Sequence, residues 1–233
     1  MKNRHFLFIS YCTIVFLFLV CIFSGNRAVT AMIESTPINR SYTIVIDAGH
    51  GGVDGGAISC TGKSESAFNL EIALRLNDLF RLLGYNTAMI RLSDVSVYTE
   101  GETIAQKKIS DLKHRVRIVN EIENGLLLSI HQNIFSDSRY SGAQVFYGRE
   151  NGSEDLAKEL QQDFVSVLNS GSHRQAKKSE GIYLMDRIKQ PGVLIECGFL
   201  SNPEEEARLR SSDYQKKLVC IIASRVSSFL SNT

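Results

Sequence analysis

Three side chains able to bind a metal or move a proton stand where apolar runs stop. They are His50 in "VIDAGHGG", His131 in "LLLSIHQN" and Glu196 in "GVLIECGF". Taken singly, a histidine at a strand end is more often a solvated residue than a ligand. His131 resists that explanation, because it breaks an apolar run where a buried polar group must find a partner. Glu196 resists it further. A carboxylate directly after Val193-Leu194-Ile195 is costly to bury unless a cation or metal lies beside it. A catalytic zinc takes three protein ligands and keeps one position open for water. Two imidazoles supply two of the three, and Glu65 in "KSESAFNLEIA" is the candidate for the last, at the start of the helix that follows the His50 loop. Glu71 lies six residues further on, about 240° round that helix, and so faces solvent. Asn69, one turn from Glu65, shares its face and is placed to hydrogen-bond near it.

These residues need a scaffold that delivers them to one place. The runs at 42–47, 85–91, 126–131, 142–148 and 192–197 are short, apolar and bounded by turn residues, as buried strands are. Helical spacing fills 65–83 and stops at Gly84, resumes from Ile109 to Ile122, and returns over 153–169 and 213–230. Asn202-Pro203 caps a short helix through "EEEARL". Residues 93–110 read as a polar stretch and 170–181 as a basic loop. Strands alternating with helices predict an α/β fold: an open, twisted, mostly parallel sheet flanked by helices on both faces. Ligands bind such sheets beyond the carboxyl ends of the strands. His50, His131 and Glu196 all fall there.

Composition narrows the class. The chain has 233 residues, enough for one well-packed domain and a short appendage. Its 26 basic and 25 acidic residues leave a net charge of +1, so no basic field for nucleic acid is present. Lys2 and Arg4 precede an uncharged apolar run from Phe6 to Phe23, and Val29-Thr30-Ala31 has the small-residue spacing of a signal-peptidase site. Residues 1–31 are therefore read as a signal peptide or, if uncleaved, a membrane anchor. Residues 32–40 are a linker, and 41–233 form an extracytoplasmic domain. Cys12 and Cys21 belong to the apolar run. Cys60, Cys197 and Cys220 remain, an odd number without a CxxC pair. That speaks against a disulfide scaffold, and whether Cys60 and Cys197 pair stays open.

"VIDAGHGG", "SESAFNLEIA", "SIHQN" and "VLIECGFLSNPEE" resemble, in order and spacing, the four signature blocks of the zinc-dependent N-acetylmuramoyl-L-alanine amidases. The likeness spans roughly residues 42–230. It implies a sheet related to the zinc exopeptidases, zinc held by His50, Glu65 and His131, and Glu196 as catalytic acid/base. The implied substrate is peptidoglycan, cut between the lactyl group of N-acetylmuramic acid and L-alanine of the stem peptide. Gln132 departs from the family, which has a small residue there. A bare catalytic domain behind one hydrophobic segment is similar to the sporulation type that prepares spore cortex for germination, in the cell wall or the forespore intermembrane space. The lack of wall-binding repeats leaves an activating or targeting protein partner open.

Other residues divide between chemistry and structure. Asp47 and Asp54 bracket the first block, and one of them is placed to orient a ligand imidazole. Asp54, before Gly55-Gly56, reads equally as a turn residue. Arg174 with Lys177 and Lys178 would meet carboxylates of stem peptides, or simply form a wetted loop. His114 reads as a solvated helix residue, and His173 would enter only if Glu65 failed as a ligand. Two other functions fit the same residues: a zinc exopeptidase on free peptides, and a catalytically silent wall-binding protein.

Overall fold

The order of elements follows the apolar periodicity closely. The computed structural model describes residues 41–168 and 171–232, so the signal or anchor expected at 1–31 and the linker at 32–40 lie outside the described residues. Six strands form one sheet: β1 (Thr43–Ala48), β2 (Asn86–Met89), β3 (Gly125–Asn133), β4 (Gln144–Tyr147), β5 (Lys177–Lys178) and β6 (Gly192–Phe199). Five helices accompany them: α1 (Glu65–Leu82), α2 (Ile104–Glu121), α3 (Ser153–Val167), α4 (Pro203–Arg210) and α5 (Ser212–Ser231).

Across the sheet the strands run β2-β1-β3-β6-β4-β5. β2, β1, β3 and β6 are mutually parallel, and β4 turns antiparallel against β6. The register sets Asp47 beside Ser129 and His131 beside Glu196, so both polar pairs emerge at the carboxyl end. Because side chains alternate along a strand, Ser129 and His131 share the face of Leu127, and Glu196 that of Leu194.

That face is covered by α2 and the 182–188 segment. Val45, Leu127 and Leu194 pack there against Val119, Leu184, Met185 and Ile188. The other face carries the larger core, in which Ile44, Ile46, Leu128 and Ile195 meet apolar residues of α1, α3 and α5. Helices on both faces of a mostly parallel sheet match the architecture predicted from the alternating pattern.

Two boundaries differ from the sequence reading, each for a physical reason. α2 begins at Ile104, inside the stretch read as polar. Its first turn is exposed, Ile104 being 70% accessible, so no apolar stripe marks it. A capping box starts it instead: the Gln106 amide N–H donates to Thr103 Oγ1, and Thr103 N–H donates to Gln106 Oε1. β5 lies within the expected basic loop. Two exposed lysines on a sheet edge have no apolar partner to reveal them, and charge there blunts edge-to-edge pairing. Asn202 caps α4 as the sequence indicated, its Oδ1 accepting from the N–H groups of Glu204 and Glu205 at 3.0 Å.

Candidate metal centre

β1 delivers His50 through a loop that only a nearly side-chain-free sequence allows. Gly51 and Gly52 take positive φ, and His50 itself sits in the left-handed region at φ 60°. Gly49 is required for a different reason: a Cβ there would stand 2.2 Å from His131 Nε2, which would displace that ring. β3 delivers His131 and the N-terminus of α1 delivers Glu65. The chain between them folds so that the Glu65 N–H donates to Ala57 O.

The three side chains converge. Glu65 offers Oε1 to His131 Nδ1 at 3.0 Å and Oε2 to His50 Nε2 at 3.3 Å. One donor atom from each residue lies within 4.8 Å of the others, and among the described residues no other such cluster occurs. The imidazoles meet edge to face, with ring centroids 5.1 Å apart. Two imidazole nitrogens and a carboxylate oxygen suit zinc or a similar first-row ion.

The electrostatics favour a cation at this point. Burial pushes the Glu65 carboxyl up, but hydrogen bonds and charge from His131 and His50 outweigh it and hold the group well below the usual carboxylate range. Burial likewise pulls His50 down, yet Glu65 and Asp54 leave its pKa above the ordinary value. Glu65 thus stays anionic between the two rings.

Around the cluster the remaining residues sort by what they touch. Asp54 Oδ2 accepts from His50 Nδ1 at 3.0 Å, which leaves Nε2 free to face Glu65. Lys108 Nζ lies 3.2 Å from the same Asp54 oxygen. Asp47 meets no imidazole; it accepts from Ser129 Oγ at 2.7 Å and ion-pairs with Arg115. Asn69 Nδ2 donates to Glu65 Oε1 at 3.2 Å. Gln132 is buried: its N–H donates to Glu65 Oε1 and its Nε2 to Asn69 Oδ1, both at 3.2 Å. Glu71 is exposed and pairs with Lys63 Nζ at 2.7 Å. Arg174 is bound to the scaffold instead, donating to Ser141 O at 2.9 Å and stacking 5.0 Å from the Phe199 ring. His173, Lys177 and Lys178 are exposed and outside the cluster, and Cys60, Cys197 and Cys220 are free thiols.

Glu196 completes the site. It neighbours His131 across the β3–β6 ladder, and its Oε2 is shut from solvent with no hydrogen-bond partner. Burial pushes its pKa up to about 7; His131 and His50 pull against that shift, and the charge on Glu65 adds to it. A cleft of about 260 Å³ opens beside His50 and His131, walled by Leu112, Ile182, Leu184 and Leu194.

Several partners of this site escaped the sequence reading. Arg91 and Arg115 are buried beneath the His50 loop. The start of the polar 93–110 stretch braces the same loop: Ser96 Oγ donates to Gly51 O at 2.6 Å, and Asp94 Oδ1 accepts from Gly52 N–H at 3.1 Å.

A family model described as N-acetylmuramoyl-L-alanine amidase matches residues 44–228, taking in all four residues of the site. The chain belongs to that family. Among amidase relatives, it is 41% identical over 182 residues to the germination-specific N-acetylmuramoyl-L-alanine amidase of Bacillus subtilis (strain 168), covering 77% of this chain and 76% of that one. A solved structure of the CwlD amidase from Clostridioides difficile, in complex with the GerS lipoprotein, aligns with a TM-score of 0.78 at 37% identity. That match covers 82% of this chain and 99% of the other. An N-acetylmuramoyl-L-alanine amidase from Clostridium difficile 630 aligns with a TM-score of 0.70 at 30% identity, over 82% of this chain and 98% of that one.

Proposed function

We propose that this amidase is zinc-dependent and hydrolyses the amide between the lactyl group of N-acetylmuramic acid and L-alanine of the stem peptide, in peptidoglycan outside the cytoplasmic membrane. One observation carries the reading: Glu196 Oε2 is buried without a partner next to the only described cluster of metal-capable side chains. An orphaned carboxylate oxygen there is costly unless it exchanges a proton with something that binds at the cluster.

His50 Nε2, His131 Nδ1 and a Glu65 oxygen would hold the ion, since these atoms face one another. Zinc supplies Lewis acidity, polarising a carbonyl and bringing the pKa of water toward ~7. Asp54 keeps the His50 proton on Nδ1, so that Nε2 presents its lone pair. Glu196 takes a proton on Oε2 from the attacking water and returns it to the leaving amine of L-alanine. A carboxyl that titrates near neutrality is suited to both halves of that transfer. The apolar walls of the cleft keep bulk water from competing.

The germination-specific Bacillus subtilis relative supports a place in preparing spore cortex for germination. The Clostridioides difficile complex supports a lipoprotein-type partner that activates or targets the enzyme. The N-terminal apolar segment, cleaved or retained as an anchor, accounts for export.

Incubating purified full-length chain with intact peptidoglycan, with and without a chelator, tests the reading. Mass spectrometry should find free stem peptides starting at L-alanine beside peptide-free muramic acid, and only where zinc is retained. Cleavage between amino acids within the peptide would identify an exopeptidase or endopeptidase instead.

A further inference from the structure

Three consecutive carbonyls lead into the metal centre, and two buried guanidinium groups grip all of them. Arg91, 3% exposed, donates from Nε to Ala48 O at 2.8 Å and from Nη2 to Gly49 O at 3.0 Å. Arg115, 2% exposed, donates from Nη1 to Ala48 O at 3.1 Å and from Nη2 to His50 O at 2.7 Å. Arg115 is itself fixed by ion pairs to Asp47 and Asp111, and Arg91 also reaches Ser66 O at 2.9 Å. The grip therefore ties β1, the end of β2, α1 and α2 to one stretch of backbone.

That stretch needs restraint. His50 is in the left-handed region, which a residue with a side chain occupies at a cost and keeps only when its surroundings over-determine it. Glycine or asparagine would sit there more cheaply, but neither offers an imidazole. Stability alone does not ask for this arrangement, because apolar residues of similar volume often replace a buried ion pair with no loss. What a planar, five-donor fork adds is direction: it holds several carbonyls at defined angles, as a lysine ammonium does not.

We infer that Arg115 and Arg91 are positioning residues of the metal centre, holding the His50 peptide in its left-handed conformation so that Nε2 faces Glu65. This rests on the metal-centre reading above and goes beyond it, by assigning ligand geometry to residues that touch neither metal nor substrate.

Arg115→Lys and Arg91→Lys test it in the full-length chain, well below each variant's melting temperature. The readouts are zinc dissociation constants from competition with a chromogenic chelator, and the visible ligand-field bands of the cobalt(II)-substituted proteins. Zinc should bind each variant about 10- to 100-fold more weakly, as loss of a ligand-orienting partner typically does. The cobalt bands should shift or weaken as His50 leaves its place. A lowered melting temperature with unchanged zinc affinity and an unchanged cobalt spectrum in both variants would reduce the arginines to scaffold and overturn the inference. Arg91 approaches an acid no closer than 4.0 Å, so Arg91→Lys keeps the test open if Arg115→Lys fails to fold with Asp47 poorly paired. Zinc binding absent from the wild-type chain would instead overturn the metal-centre reading, and this inference with it.

Discussion

The two faces of the sheet are built from different materials. On one, α1, α3 and α5 bury Phe68, Phe80 and Phe164 with a continuous set of aliphatic side chains. On the other, a smaller apolar cluster under α2 shares its space with Asp47, Arg115, Ser129 and, at the carboxyl end, His131 and Glu196. Burying charged groups contributes little net stability, whereas burying aromatic and aliphatic surface contributes most of it. The first face therefore carries most of the fold's stability and gives the site Glu65, from the N-terminus of α1, while the second supplies His131, Glu196 and other poorly solvated groups. Damage to one should leave the other largely intact.

The sharpest way to break that division is Gly49→Ala, at the border between the faces. Its Cβ would overlap the His131 ring, so zinc binding and turnover should fall to the level of the chelated enzyme. Equilibrium dialysis against zinc reads the first and muropeptide release the second. Next comes Phe164→Ala, far from the cluster and fully buried. It should cost about 3–5 kcal/mol of stability, visible as a melting temperature lower by roughly 10 °C, with kcat unchanged at low temperature. A matching fall in kcat would show that the faces are coupled.

A subtler effect concerns Glu196 in metal-free protein. Its folded pKa of about 7 lies above the ordinary 4.5, so the folded state binds this proton more tightly than the unfolded state does. The carboxyl's contribution to stability is complete below about pH 4.5 and is lost as pH rises through about 7. Glu196→Gln lacks that slope. In thermal melts it should match wild type near pH 4.5 and exceed it above pH 7 by roughly 3 kcal/mol, and added zinc should shrink the difference. A gap independent of pH would mean that Glu196 is not desolvated. The smallest effect is expected of Leu82→Ser, at a residue 83% exposed, which should move stability by no more than about 0.5 kcal/mol.

The contrast between faces also explains what the sequence disclosed. Strands β1, β3 and β6 are legible as apolar runs because both faces are covered, and His131 and Glu196 stand out for interrupting or ending such runs. Arg91 carries the same signal, closing "NTAMIR" as Glu196 closes "VLIE". Arg115, equally missed, carries a signal of its own: it sits three residues after Leu112 and four before Val119, on the helix's apolar stripe. Neither stood out as a ligand, because their partners are backbone carbonyls, which every residue has. Glu205 and Glu206 were hidden for the same reason within a run of charges. Both are buried, and Glu205 accepts from the N–H groups of Gly142 and Phe199 at 2.8 Å. Such partners are set by tertiary contact, and no local spacing encodes them.

Zinc content and turnover measured side by side on wild type and Glu196→Gln probe the central claim most directly. Both proteins should carry equal, stoichiometric zinc, while release of stem peptide from muramic acid falls about 10²- to 10⁴-fold in the variant. Undiminished release by Glu196→Gln, or by wild type stripped of its metal, would contradict the account.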